Sequence, residues 1–351
     1  MARERIMDAS TAQNGEEERY DLTLRPQTID ECIGQERLLE KIRIAITAAK
    51  QREEPIEHVL LHGPPGLGKT TIAHIIAHEM NAHIKSTSGP ALSRAADLMG
   101  ILTNLQRGDV LFIDEVHRLP AVVEEFIYPA MEDFRVDFTV DSGMHAKTIN
   151  IPLQPFTLIG ATTRAGLITA PLRARFGIQH HLEFWTEEHL QQCLRRAAGL
   201  LKVNCDENAL VLLSRCSRGT PRIAHRLLRR VRDYAQVHTN GKVTKKIAQA
   251  ALKIEEIDDL GLDRLDRAFL KTLITTYHGG PAGIEALAAT LGEERDTLED
   301  VVEPYLLQIG FVTRTRQGRT ATPAACQHLN LESPPQKPSA CLPAEDDNTL
   351  F

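Results

Sequence analysis

The sequence has few aromatic residues and few cysteines, and both shortages narrow its class. Aromatic side chains make up 5% of the 351 residues, and Trp185 is the single tryptophan. The six cysteines are scattered and include no Cys-x-x-Cys pair, which argues against a disulfide framework and against a zinc site of the usual spacing. This cysteine usage is typical of a reducing compartment, so we expect a cytoplasmic protein.

Long apolar runs are also missing. No stretch approaches the ~18 consecutive apolar residues that a transmembrane helix needs, and the first ten residues lack the apolar segment of a secretion signal. We therefore expect no membrane association. Hydrophobic residues still make up 42% and charged residues 25%, a composition that supports folded cores. At about 150 residues per domain, the length predicts between two and three domains.

Acidic residues exceed basic ones, but unevenly along the chain. The formal net charge is -6, which taken alone argues against a nucleic-acid partner. Residues 186–256, however, hold 14 basic against 7 acidic side chains. The net charge therefore hides a basic central segment.

The first half of the chain has the pattern of an α/β domain. Short apolar runs at 58–63, 109–115 and 156–163 predict buried parallel strands, and helical stretches such as 69–80 lie between them. We place the boundaries of this domain at 20–184.

The second half predicts two smaller domains. Residues 185–256 indicate a helical domain without strands, and 257–330 indicate three helices followed by a two-stranded element at 311–323. The ends of the chain, 1–19 and 331–351, hold few large apolar residues and are predicted to be disordered tails.

The strongest chemical signal is the segment GPPGLGKT at 63–70. It matches the motif Gly-x-x-x-x-Gly-Lys-Ser/Thr in full, follows a predicted strand and opens a predicted helix. Glycines let backbone N–H groups approach phosphate oxygens, and the helix start adds a positive end. We predict that Lys69 reaches the β- and γ-phosphates of a nucleotide and that the Thr70 hydroxyl ligates Mg²⁺.

Two carboxylates end the next predicted strand, VLFIDE at 110–115. Asp114 is suited to the second coordination shell of Mg²⁺, and Glu115 to orienting and polarising an attacking water. A solvated acidic pair at a strand end is the alternative, but the complete phosphate loop before it favours hydrolysis. We expect His117 to be a structural or coupling residue and not a base.

Polar and basic residues follow the third predicted strand. Thr163 is expected to hydrogen-bond the γ-phosphate or the water, with Thr162 as the close alternative. Arg173 and Arg175 follow in PLRARFG, where an arginine can neutralise the charge on a transferring phosphoryl group or form a surface salt bridge. Arg222, beside a proline that favours a helix start, is placed to let a helical domain fold over bound nucleotide.

The order of these segments resembles the AAA+ ATPases, and their longer strings resemble the RuvB family of Holliday-junction branch-migration motors. The resemblance covers residues 21–330. It implies an ATP-driven hexameric ring around duplex DNA in the bacterial cytoplasm, working on Holliday junctions with RuvA and, in the wider complex, with RuvC. The strings are LRPQTIDECIGQ, GPPGLGKTT, DVLFIDEVHRL, PFTLIGATTRAGL, RGTPRIAHRLLRRVRDYA and GEERDTLEDVVEPYLLQIGF.

The resemblance also implies roles for matching positions. Arg175 falls at the finger that reaches a neighbouring subunit's nucleotide, and Thr163 and Arg222 fall at the two sensors. Where relatives usually have tyrosine, this chain has Trp185, whose indole can still stack against adenine. The other implied ATP contacts are Leu24 and Arg25 at the adenine, Gly66, Lys69, Thr70 and Thr71 at the phosphates and Mg²⁺, and Glu132, Asp133 and Phe134 along the pocket.

Alternating apolar residues predict a hairpin at 135–153 with its turn at 141–143. In a monomer we expect an exposed apolar ribbon, which usually marks an interface, and the resemblance implies that it docks RuvA. An ordinary covered hairpin is the alternative. The ribbon residues are Val136, Phe138, Val140, Ile149, Ile151 and Leu153.

The third domain resembles a winged helix whose recognition helix, 296–308, is acidic. Phosphates would repel Glu299, Asp300 and Glu303, so we expect sequence-independent backbone contact and no deep insertion into the major groove. Relatives usually read RTPRGR where this chain reads RTRQGR, which leaves the contribution of Arg316 open. The predicted DNA contacts are Arg295, Arg314 and Arg319.

Two other functions share part of this pattern. A clamp-loader subunit has the same ATPase residues, but the string DEVHRL and the wing at 311–323 argue against it. A non-catalytic, nucleotide-sensing DNA-binding regulator needs a winged helix but neither Glu115 nor Arg175.

Overall fold

The computed structural model describes residues 24–140 and 147–332. The predicted tail at 1–19, the predicted turn at 141–143 and all but the first two residues of the tail at 331–351 lie outside these ranges. The chain forms two compact units that divide between Asp263 and Arg264.

A five-stranded parallel sheet forms the centre of the first unit, in the order β2-β3-β6-β1-β7. The three predicted strands are confirmed as β1, β3 and β6. The two further strands lie at the sheet edges and carry exposed polar residues, so they gave no apolar run in the sequence. The strands are β1 Val59–His62, β2 Ile84–Ser88, β3 Val110–Asp114, β6 Thr157–Thr162 and β7 Ile178–His181.

Helices cover both faces of this sheet. Leu60 and Leu61, adjacent on β1, point into two different apolar clusters, as the alternation of side chains along a strand requires. This burial on both faces explains the continuous apolar runs of the central strands. The helices are α1 Glu36–Arg52, α2 Lys69–Glu79, α3 Ala95–Leu102, α4 Ala121–Glu132 and α5 Ala170–Ala174, with 3₁₀ turns at Gly89–Ala91, Val116–Arg118 and Ala165–Leu167.

A helical lid completes the first unit around a third apolar cluster. Its helices are α6 Glu187–Leu200, α7 Glu207–Cys216, α8 Pro221–His238 and α9 Lys245–Ile254. The expectation of a strand-free segment is wrong in one detail, because β8 Asn204–Cys205 and β9 Lys242–Val243 pair in parallel. A ladder of two residues is too short to leave a periodic signal.

A hairpin extends from the first unit at the position that the sequence predicted. Strands β4 Arg135–Val140 and β5 Lys147–Pro152 pair antiparallel, with Val136 opposite Ile151. Among the described residues, no helix is both long and apolar enough to cross a membrane.

The second unit has the predicted order of three helical segments and a two-stranded wing. The third segment contains a π turn. Pro304 accounts for this turn, because proline has no N–H to donate to the carbonyl of Asp300. The elements are α10 Arg264–Thr275, α11 Ile284–Leu291, α12 Arg295–Thr297, the π turn Leu298–Val302, α13 Glu303–Gln308, β10 Val312–Thr315, β11 Gly318–Ala321 and α14 Pro323–His328.

Candidate functional site

A glycine-rich loop joins β1 to α2. Gly63, Gly66 and Gly68 have φ angles of 138°, 79° and 100°, which favour glycine. A Cβ atom on Gly63 would lie 2.6 Å from the backbone oxygen of Leu182, so the loop also needs glycine for close packing. The loop leads directly into the N-terminus of α2, where backbone N–H groups have no partner within the helix.

Lys69, the first residue of α2, lies almost fully inside this loop. The residue is only 8% exposed. Its Nζ donates hydrogen bonds to the carbonyls of Gly63 at 2.7 Å and Pro64 at 2.8 Å. Burial lowers the pKa of Lys69 to about 8, although Asp114 raises it and Arg222 lowers it further. A buried ammonium group in a cradle of carbonyls and helix N–H groups fits an anionic phosphate.

The acidic pair lies at the end of β3. Asp114 accepts a hydrogen bond from the backbone N–H of Glu115 at 2.9 Å, and Glu115 has a φ of 48°. This turn directs both carboxylates toward the loop. Glu115 also pairs with Arg118 at 3.1 Å, an exposed ion pair of small strength.

The two threonines at the end of β6 have different surroundings. Thr162 is fully buried, its hydroxyl lies 2.8 Å from Nδ1 of His117, and it accepts from the N–H of Arg164 at 3.0 Å. Thr163 lines the same pocket as the glycine loop and Glu115. The geometry therefore favours Thr163 as the residue that meets a nucleotide, and it gives His117 a coupling contact between β3 and β6.

The lid approaches the glycine loop through the start of α8. The N–H of Arg222 lies 3.4 Å from the carbonyl of Gly66, and a Cβ on Gly66 would come within 3.1 Å of the Arg222 side chain. Trp185 lines the same pocket, and its indole nitrogen is buried with no partner among the described residues. An unpartnered buried donor suits a ligand that brings an acceptor, such as a base nitrogen.

One pocket between the sheet domain and the lid collects most of the predicted nucleotide residues. They are Leu24, Arg25, Gly66, Lys69, Thr70, Thr71, Asp114, Glu115, Thr163, Trp185 and Arg222. The sequence interpretation missed Arg196 and His225 in the same pocket. Arg196 donates to the carbonyl of Leu24 at 2.7 Å, but its position within α6 left no distinguishing signal.

Four predicted residues lie away from this pocket. Arg175 pairs with Glu132 at 3.2 Å, and Asp133 pairs with Arg135 at 3.1 Å. Phe134 packs edge-on against Phe156 in the core, with centroids 5.9 Å apart. None of these four residues lines the nucleotide pocket of its own chain. Arg173, the alternative finger, hydrogen-bonds Gln179 at 3.1 Å.

The expectation of an exposed apolar ribbon is wrong for the base of the hairpin, which is buried. Val136 is fully buried and Leu153 nearly so, because both join the main core cluster. Ile149, further from the base, is 44% exposed. The base of the hairpin is an ordinary covered structure, and Ile149 is the exposed apolar residue among the ribbon side chains that the structure describes, which exclude Phe138 and Val140.

The winged unit differs from its prediction in the positions of its charges. Glu303 is 0% exposed and binds both Arg314 and Arg319, the latter only 12% exposed, at 2.7 to 3.0 Å. Arg319 also contacts Glu299 at 3.2 Å. Glu303 therefore adds no free carboxylate to the repulsion that we expected of this helix, because two guanidinium groups neutralise it in the interior. Arg319 serves that ion pair, and only 12% of its side chain is exposed.

The other two predicted DNA contacts, Arg314 and Arg295, are more accessible, and so is Arg316, whose contribution the sequence left open. Arg314 is 54% exposed, and Arg316 at the wing tip is exposed. Arg295 is exposed too, but it pairs with Glu285 and Glu299.

The parallel sheet, its glycine loop, the acidic strand end and the helical lid define a P-loop ATPase of the AAA+ class. The match extends to a family. The model described as the Holliday junction DNA helicase RuvB P-loop domain matches residues 24–182, that of the RuvB AAA lid domain 185–258, and that of the RuvB C-terminal winged helix domain 259–330. The chain therefore belongs to the RuvB family.

Solved structures agree with this assignment. A Thermotoga maritima RuvB, described as a Holliday junction branch migration motor, is 50% identical with a TM-score of 0.82, and the match covers 89% of this chain and 100% of that one. A lysine-to-arginine mutant of that protein is 51% identical with a TM-score of 0.83, over 89% and 99% of the two chains. A proline-to-glycine mutant gives 51% and 0.83, over 88% and 100%.

Proposed function

We propose that this chain is an ATP-driven motor that moves duplex DNA and thereby drives branch migration of Holliday junctions in recombination and repair. One observation carries the proposal: the glycine loop, the Asp114–Glu115 pair and Arg222 of the lid line a single pocket in a chain of the RuvB family. The lid contacts the loop at Gly66, so loss of the γ-phosphate at the loop acts directly on the lid.

Each side chain of the pocket has a defined task. The loop N–H groups and Lys69 hold the phosphates, and Glu115 accepts a hydrogen bond from the attacking water and orients it toward the γ-phosphate. Thr70 and Asp114 supply the oxygen atoms that suit Mg²⁺, which when bound neutralises part of the phosphate charge. Trp185 and Leu24 form the apolar wall for the adenine.

The finger requires more than one subunit. Arg175 lies outside its own chain's pocket, together with Glu132 and Asp133, and we propose that this surface reaches the nucleotide of a neighbour in a homohexameric ring. Domain rotation at each hydrolysis then moves the DNA that the winged unit holds. Phe134 is a partly buried ring that packs against the core next to these residues in the chain.

Membership of the RuvB family supports a proposal for the partners and the location. We propose that the exposed part of the hairpin docks RuvA, that RuvC joins the wider complex, and that the protein works in the bacterial cytoplasm. DNA contact is assigned to Arg314, with Arg316 beside it and Arg295 in support, on backbone phosphates of any sequence.

A four-way-junction migration assay tests the proposal. With ATP and RuvA, the wild-type protein is expected to convert junctions of unrelated sequences into duplex products, and Lys69→Ala is expected to abolish both migration and DNA-stimulated ATP hydrolysis. Lys85→Ala, which removes an exposed lysine of β2, is the matched control and retains both activities. Hydrolysis that survives Lys69→Ala would contradict the site, and ATP binding without turnover in the wild type would favour a regulator.

A further inference from the structure

Arg175 is held on the face of an aromatic ring. Its guanidinium carbon lies 4.0 Å from the centroid of Tyr128, well within the range of a cation–π contact. One edge of the group donates to the carbonyl of Pro171 at 2.8 Å, and another pairs with Glu132 at 3.2 Å. Its Nε atom is buried and has no partner among the described residues. The ring therefore holds the face of the group, while Pro171 and Glu132 hold its edges.

Tyr128 is in turn fixed by a buried carboxylate. Glu124, one turn earlier on α4 and 8% exposed, accepts a hydrogen bond from the Tyr128 hydroxyl at 2.5 Å. The same oxygen accepts the hydroxyl of Thr169, the residue that caps α5 by accepting from the N–H of Leu172. Arg175 is the C-cap of α5. Glu124 thus ties together the ring under the guanidinium and the short helix that carries it.

We propose that Tyr128 is a positioning residue for Arg175 and that Glu124 and Thr169 hold it in place. The inference rests on the proposed function, in which Arg175 acts on a neighbouring subunit's nucleotide. Tyr128 is not among the residues that line its own chain's pocket, so its influence on hydrolysis runs through Arg175.

Different parts of the guanidinium group contact Tyr128 and bind an anion. A phosphate and Glu132 both bind the edge of a guanidinium, whereas the ring contacts its face. The ring contact therefore persists when the edge passes from Glu132 to a phosphate. A long arginine side chain loses less conformational freedom on reaching the phosphate when its group is already confined, and misplacement by about 1 Å costs up to ~10²-fold in rate.

Steady-state kinetics of the full chain with DNA tests this role. Tyr128→Leu is expected to lower kcat roughly 3- to 30-fold, the range of a cation–π contact, with the KM for ATP unchanged. Tyr128→Phe keeps the ring face but loses the hydroxyl that Glu124 holds, and its kcat is expected to lie between those of Tyr128→Leu and the wild type. Phe126→Leu, an aromatic-to-leucine change on the same helix, is the control and retains kcat. Equal losses in Tyr128→Leu and Tyr128→Phe, or a comparable loss in Phe126→Leu, would overturn the role. If Tyr128→Leu does not fold, Tyr128→Met replaces it.

Mixed rings separate this inference from the function on which it rests. Subunits with Glu115→Gln have an intact finger but no hydrolysis, so mixing them with Arg175→Ala subunits is expected to restore part of the ATPase activity. Tyr128→Leu subunits mixed with Glu115→Gln subunits are expected to recover in the same way, because their own nucleotide site is intact. Recovery with Arg175→Ala but not with Tyr128→Leu would refute the positioning role alone. Recovery in neither mixture would refute the trans finger, and the inference with it.

Discussion

Lys69 carries its charge in a place from which water is almost excluded. Burial is the largest influence on its pKa and lowers it to about 8, and the carboxylate of Asp114 opposes this only in part. In the free protein the ammonium therefore begins to lose its proton slightly above neutral pH. A triphosphate brings several negative charges to the same loop, so a bound nucleotide favours the protonated form.

This coupling predicts that nucleotide binding takes up a proton at mildly alkaline pH. Between about pH 7.5 and 9.5, the free Lys69 is increasingly neutral while the bound one stays charged, so ATP affinity is expected to fall as the pH rises, by at most about tenfold per unit. Titration calorimetry in two buffers of different ionisation enthalpy measures the proton uptake.

The thiols of the pocket do not contribute to the proton uptake that this measurement detects. Burial raises the pKa of Cys32 to about 11 and that of Cys193 to about 12, so neither titrates in the same window. An affinity that stays level from pH 7.5 to 9.5, with no proton taken up, would show that Lys69 remains charged without nucleotide.

Motif residues at the ends of elements were predictable one by one, since the loop, the acidic pair and Arg222 all line the pocket as expected. Residues whose role depends on what packs against them were not. Thr162 and Thr163 are neighbours of the same type, and they differ in the fold: Thr162 contacts His117, whereas Thr163 lines the pocket. Likewise, the sequence does not reveal that Glu303 points inward.

Among the elements, the wing and the helix before it form one electrostatic unit. Burial would raise the pKa of Glu303, but the hydrogen bonds from Arg314 and Arg319 outweigh it and hold that pKa below its usual range. The carboxylate therefore stabilises the folded unit at neutral pH, and this contribution is lost as acid protonates it below its unfolded pKa.

Arg319→Ala is expected to destabilise the second unit, because it leaves the buried Glu303 with a single cationic partner. Breaking a buried ion pair on one side costs about 3 kcal/mol or more in the free energy of unfolding. Hydrogen exchange of the β10 and β11 amides in the full chain measures this loss. Arg316→Ala is the matched wing variant, exposed and expected to leave exchange unchanged.

In DNA binding, the direct effect of losing a phosphate contact is expected for Arg316→Ala, the variant that leaves hydrogen exchange unchanged. Arg316→Ala weakens binding about equally for unrelated sequences and reduces the slope of log affinity against log salt by about 1, as one lost phosphate contact does. If Arg319→Ala instead removed DNA binding without any change in exchange, Arg319 would be a direct contact and the buried ion pair would be unimportant.

Elements were predictable where burial on both faces produced continuous apolar runs, as in β3. The edge strands β2 and β7 carry polar residues toward solvent and escaped notice. The hairpin was found from its alternation, but alternation does not tell which end of a ribbon the core covers.

For the molecule as a whole, the hairpin lies apart from the nucleotide pocket, since none of its described residues lines that pocket. Its base is packed under Val136 and Leu153, so an apolar partner meets the part around Ile149. In the proposed function, hydrolysis and partner docking use different surfaces of the first unit, so a change at Ile149 is expected to separate them.

Ile149→Glu is expected to weaken RuvA binding at least tenfold, because docking would bury an unpaired carboxylate in an apolar contact. ATP hydrolysis with duplex DNA alone is expected to stay at the wild-type rate, while RuvA-dependent junction migration is lost. Val237→Glu, which places the same charge on an exposed apolar site of α8, is the control and keeps all three properties. Binding to immobilised RuvA, measured beside the migration assay, decides the matter: unchanged affinity in Ile149→Glu would move the docking surface away from the hairpin.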